Sequence, residues 1–169
     1  MSKESLNKNN PQILSFEIIT ILPPRTKEIL KKRFGLEDGK PKTLEAVGQS
    51  YKITRERVRQ IIESALKTIQ KQPIGEIIGD FINLSKALLK ESGGLEEEME
   101  FCKKVNKRLN ADEKLEGKGN LSAIKFLLTL SPDFILEEET ESNYSFWHLM
   151  EISKETIDKN IKELEKYFK

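Results

Sequence analysis

TLEAVGQSYKITRERVRQIIESAL (residues 43–66) carries two helix-start signals eleven positions apart. Thr43 and Thr54 each bring a side-chain oxygen that accepts from the unpaired amides of a helix's first turn. Their spacing leaves room for one short helix, a tight turn and a second helix running to about Ile69. That is the helix-turn-helix layout, in which the second helix enters the major groove of DNA. At about 100° per residue, Val58, Ile62, Ala65 and Ile69 fall on one apolar stripe. Glu56, Arg57 and Gln60 fall on the opposite side, flanked by Arg55 and Arg59. Arginine pairs with guanine O6 and N7 or with phosphate, glutamine with adenine N6 and N7, and glutamate accepts from the cytosine amino group. Phosphate attraction alone favours an all-basic face, so Glu56 points to base reading. Lys52 and Lys67 are expected to meet phosphate, and Thr43 and Thr54 are expected among the DNA-binding residues.

Upstream, Ile13, Leu14, Phe16, Ile18, Ile19 and Leu22 line a short helix that ends before Pro23-Pro24, since the residue before proline is pushed out of the helical region. Pro24 suits a first helical turn, and that helix, with Ile29, Leu30 and Phe34 inward, stops at Gly35. Downstream, Pro73 opens a helix that runs through Ile77, Phe81 and Leu88 to Gly93-Gly94. Residues 95–109 and 121–130 read as two more helices around a turn-rich 110–120. The period then changes: Phe134 to Leu136 and Tyr144 to Leu149 read as a β-hairpin. Ile157, Ile161, Leu164, Tyr167 and Phe168 outline a last amphipathic helix. The expected organisation is a disordered arm at 1–11, a helix-turn-helix domain at 12–72, a connecting helix at 73–91 and a second domain at 92–169. Three helices closed by a hairpin give that second domain a winged-helix-like outline, so the fold class is mainly α with a small α+β part.

Charge divides along the same boundary. Of 29 basic and 28 acidic residues, those in 23–72 leave a net +7 and those in 92–169 a net −5. The basic half suits a polyanion, and the acidic half suits a basic protein. The only cysteine, Cys102, follows the helical pattern Met99, Cys102, Val105, Leu109 and reads as core. With a single histidine, His148, four soft ligands for a structural zinc cannot be assembled. Gly35 to Pro41 has the wrong spacing for a phosphate loop, and the glutamate runs lack the pattern of a calcium loop. No cofactor, metal site or catalytic constellation is expected. No apolar stretch approaches the roughly 20 residues of a membrane span, and the polar N-terminus resembles no secretory signal; a cytoplasmic, nucleoid-associated protein is expected.

Beyond these local signals, Leu22-Pro23-Pro24-Arg25, Ile29-Leu30, Arg33-Phe34-Gly35-Leu36, Thr43-Leu44-Glu45-Ala46-Val47-Gly48, Thr54-Arg55-Glu56-Arg57-Val58-Arg59-Gln60-Ile61 and Ala65-Leu66 closely resemble region 4 of the housekeeping-type sigma factors of bacterial RNA polymerase. The resemblance covers residues 16–71. It implies that Arg55, Glu56, Arg59 and Gln60 face an upstream promoter element, with Arg57 also among the DNA contacts. Region 4 also grips a flap helix of the polymerase, so RNA polymerase is a second candidate partner beside duplex DNA. The 22 residues ahead of Pro23 leave no space for the promoter-melting part of a sigma factor. The chain is therefore expected not to be a complete one. The second half is similar, on its hairpin with Phe134 and Trp147, to winged helices of the polymerase delta-subunit type.

Overall fold

The computed structural model describes residues 10–109, 119–140, 144–153, 155–157 and 159. The expected N-terminal arm up to residue 9, most of the 110–120 turn and the body of the last helix lie outside these residues. Helices α1 (Pro11–Ile19), α2 (Pro24–Phe34), α3 (Leu44–Tyr51), α4 (Arg55–Gln70) and α5 (Gly75–Glu91) come first. They are followed by β1 (Leu95–Glu97), α6 (Glu98–Leu109), α7 (Asn120–Leu130), β2 (Phe134–Glu137) and β3 (Phe146–Leu149).

Local chemistry sets most of the helix ends. The Asn10 side chain accepts from the amides of Gln12 and Ile13 at 2.9 and 3.1 Å, so α1 starts at Pro11, one residue before the expected domain boundary. Gly35 closes α2 at φ 66°. A Cβ there would lie 2.6 Å from the nitrogen of Pro41, so the returning loop and the left-handed cap both need glycine.

Where a single helix was expected over 95–109, the structure has a strand and a shorter helix. Gly93 and Gly94, at φ 78° and 86°, swing the chain so that Leu95, Glu96 and Glu97 pair antiparallel with His148, Trp147 and Phe146. Three residues at a helix start make few intrahelical bonds, and pairing with a strand distant in sequence replaces them. Glu97 then caps the shortened helix, its carboxylate accepting from the amides of Met99 and Glu100 at 2.9 and 2.7 Å. β2 pairs with the other edge of β3, giving a three-stranded sheet in the order β1-β3-β2.

The buried side chains on both sides of residue 72 join in one cluster. The cause is α7, whose buried residues include Ile124, Phe126, Leu127 and Leu128. It packs on α6 and also along α1, from the other half of the sequence. Phe34, at the end of α2, meets Phe126 with ring centroids 4.9 Å apart. Gln12 Nε2 donates to the Leu36 carbonyl at 2.6 Å beside this contact. Trp147 lies in the same core. Cys102 is fully buried, and desolvation pushes its thiol up to about 12, where almost no nucleophilic thiolate exists near neutral pH.

The expectation of a basic protein partner for the acidic half is not supported. The carboxylates are neutralised locally, Glu96 by Lys104 at 3.1 Å and Glu98 by Lys125 at 2.8 Å, while Lys86 and Lys90 of α5 reach Asp133 and Glu151 at 3.2 and 3.0 Å. Net charge summed along the sequence does not register this pairing in space.

Candidate nucleic-acid interface

α3, its turn and α4 form the helix-turn-helix. Thr43 Oγ1 accepts from the Ala46 amide and Thr54 Oγ1 from the Arg57 amide, both at 3.1 Å. The two threonines put forward as DNA contacts thus direct their side-chain oxygens to the helix starts. Between the helices, the Ile53 amide donates to the Gly48 carbonyl at 3.0 Å. A Cβ on Gly48 would meet the Ile53 carbonyl at 2.6 Å, so the turn closes only over a bare Cα. Lys52 ends α3 at φ 55°, the left-handed region, with its side chain exposed.

Val58, Ile62, Ala65 and Ile69 seat α4 in the core, and Arg55, Glu56, Arg57, Arg59, Gln60 and Lys67 are all exposed. The exposed groups are not independent. Arg59 donates from Nε and Nη2 to the two oxygens of Glu56, at 2.9 and 2.7 Å, and its Nη1 pairs with Glu63. Gln60 Nε2 donates to Glu56 Oε1 at 3.3 Å, and Arg57 Nη1 donates to Gln60 Oε1 at 3.3 Å. The hydrogen bond from Arg59 holds the Glu56 carboxyl below its ordinary range, and Glu56 in turn raises Arg59. Both groups are therefore charged at neutral pH. Glu56 thus holds Arg59, and any other anion has to compete with a carboxylate for that guanidinium. Arg57 and Gln60 also line a cleft between α2 and α4 with Thr26, Ile61 and Ser64; Arg57 thus lies on the α2 flank, to one side of the face opposite the buried stripe.

Basic side chains that the motif reading passed over stand beside α3. Lys32, Lys40 and Lys42 line a second cleft with Ser50. Lys31 there is already paired with Glu28 and Glu37, each at 3.0 Å. Lys32 and Arg25 lie over the Tyr51 ring, 5.5 and 5.8 Å from its centroid. Their trace in the sequence was the net +7 itself, which the helix-turn-helix motif does not exhaust.

Lys52 permits fold and binding to be separated. A non-glycine residue in the left-handed region costs about 1 kcal/mol. Lys52→Gly is expected to raise the urea midpoint modestly while weakening binding to all duplexes alike; a variant that loses stability would show that the Lys52 stem packs productively where it is.

Residues 18–71 match the family model described as Sigma-70, region 4. This segment is a sigma region 4 helix-turn-helix. It is 40% identical over 65 residues to RNA polymerase sigma factor SigA1 of Synechococcus elongatus, a match covering 38% of this chain and 16% of that protein. Similarity to SigA of Clostridium acetobutylicum is 39% over 67 residues, covering 40% of this chain and 18% of that protein. SigA of Lactococcus lactis subsp. cremoris is 41% identical over 66 residues, with 39% and 18% covered. The chain thus matches less than a fifth of the length of these relatives. Region 4 is a DNA-binding transcription domain rather than a catalytic one. In this chain the region 4 segment begins inside α1 and ends just after α4, which leaves α5, α6, α7 and the sheet outside the match. No helix among the described residues is long and apolar enough to cross a membrane.

Proposed function

We propose that the chain is a sequence-specific DNA-binding regulator of transcription that lays α4 in the major groove. The observation that carries this reading is that Arg55, Glu56, Arg57, Arg59 and Gln60 are exposed together on a helix whose opposite side is anchored in the core. Gln60 and Glu56 read bases, Arg55, Arg57 and Arg59 serve bases or phosphate, and Lys52 and Lys67 meet phosphate. Thr43 and Thr54 hold the two helices at the angle this requires. The protein then works on duplex DNA in the cytoplasm, at the nucleoid. The relatives are RNA polymerase sigma factors, which supports association with RNA polymerase as the second reading.

We infer further that residues 92–169 are a winged-helix-like unit joined to the 12–72 domain by α5. The chain order β1-α6-α7-β2-β3 after α5 and the sheet order β1-β3-β2 support it. Such a unit normally reads DNA with its last helix, but α7 is buried along most of its length. DNA reading therefore rests with α4.

Selection of bound sites from a random duplex library with the full chain tests the reading. A defined motif is expected, and Gln60→Ala should lose about 1–3 kcal/mol of discrimination at one position of it. Enrichment of no motif would leave the polymerase reading, which a pull-down with core polymerase checks.

A further inference from the structure

Gly119 stands immediately ahead of α7 with φ −93° and ψ −3°. That is the geometry of a type I turn, compatible with most residues. What requires glycine there is space. A Cβ would collide with the Leu36 carbonyl oxygen and would lie 2.6 Å from Gln12 Nε2. Gln12 Nε2 donates to that same carbonyl at 2.6 Å, so α1, the approach to α7 and the loop after α2 meet at one backbone oxygen. Gly119 and Leu36 are both buried. Gln12 and Gly119 fall outside residues 18–71, the segment matched to region 4, whereas Leu36 falls inside it. At this point, then, parts of the chain beyond region 4 take hold of the helix-turn-helix segment.

The loop behind Leu36 has little slack. The Leu36 amide donates to the Lys31 carbonyl at 3.0 Å, the Gly39 amide to the Gly35 carbonyl at 2.9 Å and the Lys42 amide to the Lys32 carbonyl at 3.0 Å. Arg33 Nη1 donates to the Lys42 carbonyl at 2.9 Å. The next residue is Thr43, whose side chain caps α3. A bonded, close-packed segment passes a displacement on instead of absorbing it. α3 packs along α4, so the position of the Leu36 carbonyl bears on how both helices of the motif are presented.

We propose that Gln12 and Gly119 are positioning residues for the helix-turn-helix. The donor from α1 and the bare Cα ahead of α7 fix the Leu36 carbonyl, and through the 36–42 loop they set the angle of α3. The consequence for base reading rests on the proposal that α4 lies in the major groove; the hold on α3 does not.

Gly119→Ala in the full chain tests both, because the added methyl group has to push the Leu36 carbonyl aside. Backbone amide resonances of residues 43–51 should move together with those around Leu36. Changes confined to α1, α7 and residues 35–37 overturn the proposal. In duplex titrations the ratio of affinities for a library-selected and a scrambled site should fall about tenfold, the order of one misaligned base contact. The salt slope should stay, since phosphate contacts carry no sequence information. A merely structural role would lower the urea midpoint and leave that ratio alone, and an unchanged ratio overturns the part of these residues in recognition. An unaltered chain that selects no duplex removes the groove reading instead, and the amide resonances still decide the hold on α3. If Gly119→Ala does not fold, Gln12→Ala, which removes the donor and adds no atom, is read in the same two ways, with smaller changes in the same direction expected.

Discussion

Phe126→Ala is expected to lower stability by about 3–5 kcal/mol, the usual cost of removing a fully buried phenylalanine. The loss should be felt in both halves of the chain at once. Phe126 belongs to α7, yet its ring rests on Phe34 of the region 4 segment, and α7 also carries α1. A cavity there withdraws support from the sheet and the helix-turn-helix together. Urea unfolding should therefore remain a single transition in the variant, with Trp147 fluorescence, helical circular dichroism and DNA binding lost at the same denaturant concentration. Two separated transitions, with DNA binding outlasting the Trp147 change, would show that the region 4 segment stands alone. The two halves share a core, so their relative placement is set by contacts rather than by a linker.

Duplex affinity should fall roughly a hundredfold between 50 and 200 mM salt, if Arg55, Arg57, Lys52 and Lys67 each displace counterions from one phosphate. Arg59 is left out of that count because Glu56 and Glu63 hold it. Glu56→Ala should change both terms. Freeing Arg59 from Glu56, with only Glu63 left to hold it, should steepen the salt slope by up to about 1, and removing the carboxylate should relax the preference for cytosine by about 1–3 kcal/mol. Titrations of matched and scrambled duplexes at several salt concentrations read the two effects separately. A variant that keeps both the wild-type slope and the wild-type preference would remove Glu56 and Arg59 from the interface. The pH dependence follows from the direction of the Glu56 shift. Its carboxyl is held below the ordinary value, so the pairing with Arg59 is fully present above that value and is lost only as pH falls through the lowered one. Binding should therefore not respond to this pair between pH 6 and 8.

α3, its turn and α4 were determined by the sequence alone, because each signal is local. A threonine caps the amides three residues ahead of it, glycine fits where a carbonyl crowds the Cα, and the 3.6-residue period sends Val58, Ile62, Ala65 and Ile69 inward whatever else surrounds them. The hairpin around Trp147 was legible for the same kind of reason, a change of period from one element to the next. Tertiary structure alone decided three further points. Leu95–Glu97 became a strand because β3, some fifty residues away in sequence, offered its edge. α7 lost any exposed reading face because α1 came to lie along it. Arg59, one of the exposed arginines of α4, was drawn to Glu56 and Glu63. A residue's own preferences are written in its immediate neighbours, whereas its partners depend on which distant surfaces the folded chain brings within hydrogen-bonding or van der Waals range, and it is those partners that decide whether a given arginine or helix is free to meet DNA.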